Sequence, residues 1–124
     1  MNPGVIFLLD EDKNFLELYS KILKNKGCRV FATDNLFLLL KYAKTAHPQW
    51  IFIDENFASL HQADLIKLIN KHLSLKNTHY AIMSTSRLPK TKSIFPNIEF
   101  IHKPVILEKL IQISEKSCNL LKID

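Results

Sequence analysis

The chain has 124 residues, 47% of them hydrophobic, enough for one domain with its own core and too apolar for a disordered segment. Only two glycines occur, Gly4 and Gly27, which excludes a dinucleotide fingerprint and a P-loop, since both need several close glycines to bring backbone against phosphate. Seventeen Lys and Arg against twelve Asp and Glu give a net charge of +5, but the lysines are scattered, and without a basic stripe interleaved with aromatics no direct binding of nucleic acid is expected.

Val5 to Leu9 is a continuous apolar run, as a strand buried on both faces requires. It is too short for a signal peptide or a membrane span, so the chain is expected to be cytoplasmic and not inserted in a membrane. Asp12 is placed to cap a helix whose apolar residues Phe15, Leu16, Tyr19, Ile22 and Leu23 fall at helical spacing and which ends over Asn25 to Gly27. Arg29 to Ala32 reads as a short strand. Asp34 or Asn35 opens a second helix through Leu39, Leu40 and Ala43, closed before Pro48. Trp50 to Ile53 is a second buried run. A helical pattern follows over Ala63 to Leu73, then a buried run from Tyr80 to Met83. After a stretch with Pro89 and Pro96, Phe100 and Ile101 form a short strand, and Ile106 to Leu121 reads as the last helix. The two cysteines, Cys28 and Cys118, are too few and too far apart for a disulfide scaffold or a zinc site and read as reduced, mostly buried thiols.

Strand and helix alternate five times in one domain spanning residues 1–124. Connections this long imply βαβ units, hence a doubly wound parallel sheet of the α/β class. Such sheets bind ligands outside the carboxyl ends of their strands. The residues that follow the apolar runs are therefore the informative ones. Asp10 and Glu11 follow the first, Asp54 ends the third, Thr85 follows the fourth and Lys103 the fifth. Singly, each has an ordinary explanation as a cap, a loop acid, a loop hydroxyl or a solvated lysine, and Asp12 is read as a cap. Together they place three carboxylates, a hydroxyl and an ammonium along one edge. Two carboxylates ~4 Å apart repel by about 4 kcal/mol at an effective dielectric of 20, so three need a counter-ion. A hard divalent cation such as Mg²⁺ suits oxygen ligands, and with Lys103 it brings the site to neutrality.

These motifs resemble the receiver domain of two-component response regulators, of the chemotaxis-type single-domain kind, over essentially the whole chain. VIFLLDED is similar to the first strand with its acidic pair, WIFIDEN to the third strand ending in the phosphoacceptor, AIMSTS to the fourth strand with its switch hydroxyl, and FIHKP to the fifth strand with a switch aromatic, a lysine and a proline. The resemblance implies a flavodoxin-like sheet of five parallel strands in the order 2-1-3-4-5. It implies that Asp54 accepts a phosphoryl group from a histidine kinase or a histidine phosphotransfer protein. Mg²⁺ would be held by Asp10 (mostly through water), Glu11, Asp54 and the backbone carbonyl of Asn56. Thr85 and Lys103 would meet the phosphoryl oxygens, Phe100 would turn as Thr85 moves, and Asn56 and Arg87 would border the path of attacking water. The Lys103–Pro104 bond would be cis. The chain would then be a phosphoacceptor signalling domain rather than a metabolic enzyme, with self-phosphorylation and dephosphorylation as its only chemistry. With no output domain after the last helix, it would signal through contact with a downstream protein.

The chain departs from that pattern in three places. Glu11 replaces the commoner aspartate. Phe57-Ala58 and Gln62-Ala63 stand where the family usually has Met-Pro and a glycine turn. Between Thr85 and Phe100, Pro89 and Pro96 leave room for about one and a half helical turns at 3.6 residues per turn, so a shortened or missing helix is expected over 87–97. The usual dimer face would then be lost, leaving a monomer or an atypical dimer. These losses also allow an alternative, an atypical receiver acting as a phosphorylation-independent interaction module.

Overall fold

The structure is a computed structural model, and it describes residues 4–71, 77–85 and 98–102 together with Glu108, Leu110 and Gln112. In chain order the elements are β1 (Val5–Leu9), α1 (Lys13–Asn25), β2 (Arg29–Thr33), α2 (Leu36–Ala46), β3 (Trp50–Asp54), α3 (Glu55–Leu60), α4 (Gln62–Lys71), β4 (His79–Ser84) and β5 (Glu99–His102). All five strands are parallel and lie in the order β2-β1-β3-β4-β5. The expected doubly wound sheet is therefore observed, with helices on both faces.

Alternation along the strands sorts the core into two layers. Phe7, Leu9, Ile51, Ile53 and Ile82 meet Leu36, Leu39 and Ala43 of α2, Phe57 and Ala58 of α3, and Leu65 and Leu68 of α4 on one face. Ile6, Leu8, Phe52, Ala81 and Met83 meet Leu16 and Leu23 of α1, Cys28 and Leu110 on the other. Strands covered on both sides must be apolar at every position, and β1 is buried from Ile6 to Leu9 without a break. Glu108, Leu110 and Gln112 are helical, within the span expected for the last helix.

The helix ends follow the caps expected of them. Asp12 accepts hydrogen bonds from the Asn14 and Phe15 N–H groups at 3.0 and 3.2 Å. Of the two candidates for the second helix, Asn35 is the cap, accepting from Phe37 and Leu38 N–H. Gly27 closes the α1–β2 turn at φ 94°, a left-handed conformation that a side chain would strain. Strands run one or two residues longer than the apolar runs alone indicate: β2 reaches Thr33, β3 reaches Asp54, and β4 spans His79–Ser84. α3 is an addition. No periodic signal marks its six residues, and it starts because Asp54 caps it.

Cys28 corrects the reading of the cysteines. It is 5% exposed and disulfide-bonded, not a reduced thiol. The chain's other cysteine, Cys118, lies outside the described residues. Separation along the sequence does not measure separation in the fold: Cys28 shares one buried cluster with Leu110 of the C-terminal region. The expectations for 87–97, including the shortened or missing helix, and for the Lys103–Pro104 bond also fall outside the described residues.

Tyr80, on β4, carries a buried phenol whose Oη has no hydrogen-bond partner among the described residues. Burial pushes its pKa up to about 12 from the ordinary 10.0. The fold thus favours the neutral phenol. That contribution to stability is fully present below pH 10 and is lost as pH rises toward about 12. Tyr80→Phe is expected to keep stability at neutral pH within about 1 kcal/mol, since the phenol makes no described bond. It should also shrink the loss of stability above pH 10. Urea midpoints of both proteins on either side of that pH check this, and equal losses would refute it.

Candidate functional site at the carboxyl edge of the sheet

The parallel register decides which polar residues meet. Leu9 pairs with Ile53, so Asp10 and Asp54 are the next residues on neighbouring strands. Asp54 itself is in register with Met83, one residue before Ser84. Ser84 in turn is in register with His102 on β5. The residues singled out from the sequence therefore occupy one edge, apart from Lys103 and Arg87, which lie outside the described residues.

Asp10 and Asp54 are both buried, at 2% and 6% exposure, which is uncommon for carboxylates and requires hydrogen-bonded partners. Asp10 Oδ1 accepts the Asp12 N–H at 2.9 Å, and the Asp10 N–H donates to the Thr33 carbonyl at 3.2 Å. Asp54 Oδ2 accepts the Asn56 and Phe57 N–H groups at 3.0 and 3.3 Å. Strand β3 thus delivers the Asp54 carboxylate, and the first turn of α3 fixes its orientation.

The remaining residues are less enclosed. Glu11 and Asn56 are exposed, and so is Thr85, which lies in the bend after β4. Phe100 is half-buried against the α2–α4 face of the sheet, in register with Ile82. One pair was missed by sequence reasoning. The Ser84 hydroxyl donates to Glu55 Oε1 at 2.6 Å, a short bond to a carboxylate that ties the end of β4 to the start of α3. Ser84 is 2% exposed. Its signal in the sequence was a hydroxyl closing an apolar run, the same signal that drew attention to its neighbour Thr85.

Oxygen donors from two buried carboxylates on adjacent strands fit Mg²⁺, a hard ion usually held by one or two carboxylates with water and phosphate. Among the described residues no group of three or more His, Cys, Asp and Glu stands together to hold a metal. Glu11 in particular remains outside the buried pair. No described helix is long and apolar enough to cross a membrane.

No family model matches the chain, and no curated protein matches it. Solved structures do. A response regulator from Thermotoga maritima is 18% identical, with TM-score 0.73, 96% of this chain covered and 99% of that one. A chemotaxis response regulator of Vibrio cholerae is 18% identical, with TM-score 0.74 and coverage of 91% and 99%. The receiver domain of a sensor histidine kinase from Pseudomonas aeruginosa, with a magnesium ion coordinated in its active site cleft, is 13% identical, with TM-score 0.75 and coverage of 94% and 98%. The structural likeness spans nearly the whole of each chain, so the fold is that of response-regulator receiver domains.

Proposed function

We propose that the chain is a phosphoacceptor receiver of a two-component phosphorelay, taking a phosphoryl group onto Asp54 from a histidine kinase or histidine phosphotransfer protein. The observation that carries this reading is the Asp54 carboxylate itself. It is 6% exposed, ends a central strand beside the buried Asp10, and is oriented by two backbone amides. An acid held at that cost in a fold otherwise apolar along its strands is a candidate for chemistry.

In the transfer, an Asp54 carboxylate oxygen attacks phosphorus in line as the phosphorus–nitrogen bond of the donor phosphohistidine breaks. The bonding electrons pass to the imidazole nitrogen, which takes up a proton. The two amides hold the carboxylate at a fixed angle, so little orientation entropy is left to lose at the transition state. Glu11, Asp54 and the Asn56 carbonyl would hold Mg²⁺, with Asp10 acting mostly through water, and the ion would supply neutralisation of phosphoryl charge. Thr85 and Lys103 would take phosphoryl oxygens, Phe100 would report the change to the outer surface, and Arg87 would modulate hydrolysis. The chain would act as a cytoplasmic signalling domain, passing its signal to a downstream protein by contact.

Incubation with acetyl phosphate and Mg²⁺ should add one phosphoryl group by intact mass, and Asp54→Asn should abolish the gain. Equal labelling of the variant would show the acceptor to be elsewhere.

Asp10 and Asp54 carry like charge at adjacent strand ends, and a bound cation relieves their repulsion. Mg²⁺ is therefore expected to raise the melting temperature. Asp10→Asn, which keeps an oxygen to accept the Asp12 N–H, should raise the metal-free melting temperature and shrink the Mg²⁺ effect. The expected gain is on the order of 1 kcal/mol, below the repulsion of two bare carboxylates because both acids are hydrogen-bonded. Thermal melts with and without Mg²⁺ check both, and an unmoved curve together with a destabilised variant would refute the metal assignment.

A further inference from the structure

The free edge of β2 has features that the phosphoryl site does not use. β2 pairs only with β1 among the described residues and closes one side of the sheet. Exposed edges are normally guarded by charge or proline against pairing with another chain. Each edge strand starts with a charge, Glu99 in β5 and Arg29 in β2, and Arg29 faces β1. In β2, Val30, Phe31, Ala32 and Thr33 form four residues with no charge and no proline.

The backbone fixes which of these residues face outward. The Arg29 N–H donates to the Gly4 carbonyl at 2.9 Å, and the Thr33 carbonyl accepts from the Asp10 N–H at 3.2 Å. In a parallel ladder a residue turns its N–H and C=O to the same side, and successive residues alternate. Arg29, Phe31 and Thr33 therefore face β1, while Val30 and Ala32 present their N–H and C=O groups to the open edge.

Apolar surface lies alongside. Phe37, Leu38 and Tyr42 on α2 are 77%, 43% and 47% exposed, although large apolar side chains are costly to leave in water when grouped. Leu38 and Tyr42 are four residues apart and so share one helix face. The Tyr42 ring lies 4.4 Å from that of Phe31, which places this face toward the β2 edge.

Charge then selects the occupant. The exposed Lys24, Lys26 and Arg29 lie toward the start of β2, and the exposed Asp12 and Asp34 lie toward its end with one base, Lys13. A second copy laid antiparallel sets each basic end beside an acidic one. A parallel copy would oppose like charges, and an acidic segment of another protein would complement one end alone.

We propose that β2 pairs antiparallel with β2 of a second copy about a two-fold axis at Phe31, joining two sheets into one of ten strands. The outward groups dictate this register. Val30 exchanges hydrogen bonds with Ala32 of the second copy, and Ala32 with Val30 of the second copy. Phe31 then meets its own counterpart in a close cross-strand pair. On the α2 side, Tyr42, whose ring lies 4.4 Å from that of Phe31 at the axis, approaches its counterpart in the second copy. Such an isologous contact closes on itself and stops at two chains. It leaves the carboxyl edge around Asp54 open, so it stands independently of the proposed phosphoryl chemistry.

The test is sedimentation of the full chain from micromolar to millimolar concentration. The mass is expected to rise toward twice 14.4 kDa. Ala32→Pro removes an N–H that points outward, a substitution that an edge strand tolerates, and should hold the mass at the monomer value with an unchanged circular dichroism spectrum. Arg29→Glu should weaken association by about tenfold or more through like-charge contact, and Arg29→Glu combined with Asp34→Lys should restore it. The charge pair decides the matter if Ala32→Pro fails to fold. A chain that stays monomeric throughout, an Ala32→Pro protein that folds and dimerises as the parent does, or a charge swap without recovery would overturn the proposal.

Discussion

A parallel sheet covered by helices on both faces confines charge to the ends of its strands. Along β1 and β3 the interior positions are fully enclosed, so none of them tolerates a polar side chain. Asp10 and Asp54 stand at the first positions where the helix layers give way, and even there they are nearly buried. Every other feature of the site depends on this. The strands must end in register for the acids to be neighbours, the turn after β1 must provide the Asp12 N–H for Asp10, and α3 must start at once to provide N–H groups for Asp54.

Asp54 shows how one residue meets two demands. As the cap of α3 its Oδ2 satisfies amides that the helix leaves without internal partners. The same bonds hold the carboxylate at the edge of the sheet. Structural and chemical roles thus coincide, and a change of side chain affects both. Asparagine preserves an oxygen for capping and removes the charge, which makes it the informative substitution.

Much of the fold was legible because hydrophobic runs and caps are local signals. VIFLL, WIFID and the Asp12 and Asn35 caps gave the elements and their order. The candidate acids were legible for the same reason, each closing an apolar run. What could not be read were relations between distant segments. α3 has too few residues to show a period and exists through its cap. The Ser84–Glu55 bond joins residues on different elements, and neither is unusual alone. The bonded state of Cys28 is a tertiary property, like the burial of Leu110 in the same cluster, and no spacing rule encodes it.

The Ser84–Glu55 bond has a dynamic consequence. It spans the carboxyl ends of β3 and β4, immediately after Asp54 and immediately before Thr85. The end of β4 and the first turn of α3 therefore do not open as independent units. Freeing either one means breaking a short hydrogen bond that is mostly shielded from water, so both belong to one cooperative segment in local unfolding and should exchange their amide hydrogens together. A disturbance that reaches the start of α3 is thereby carried across the sheet edge to the next strand without passing through the core.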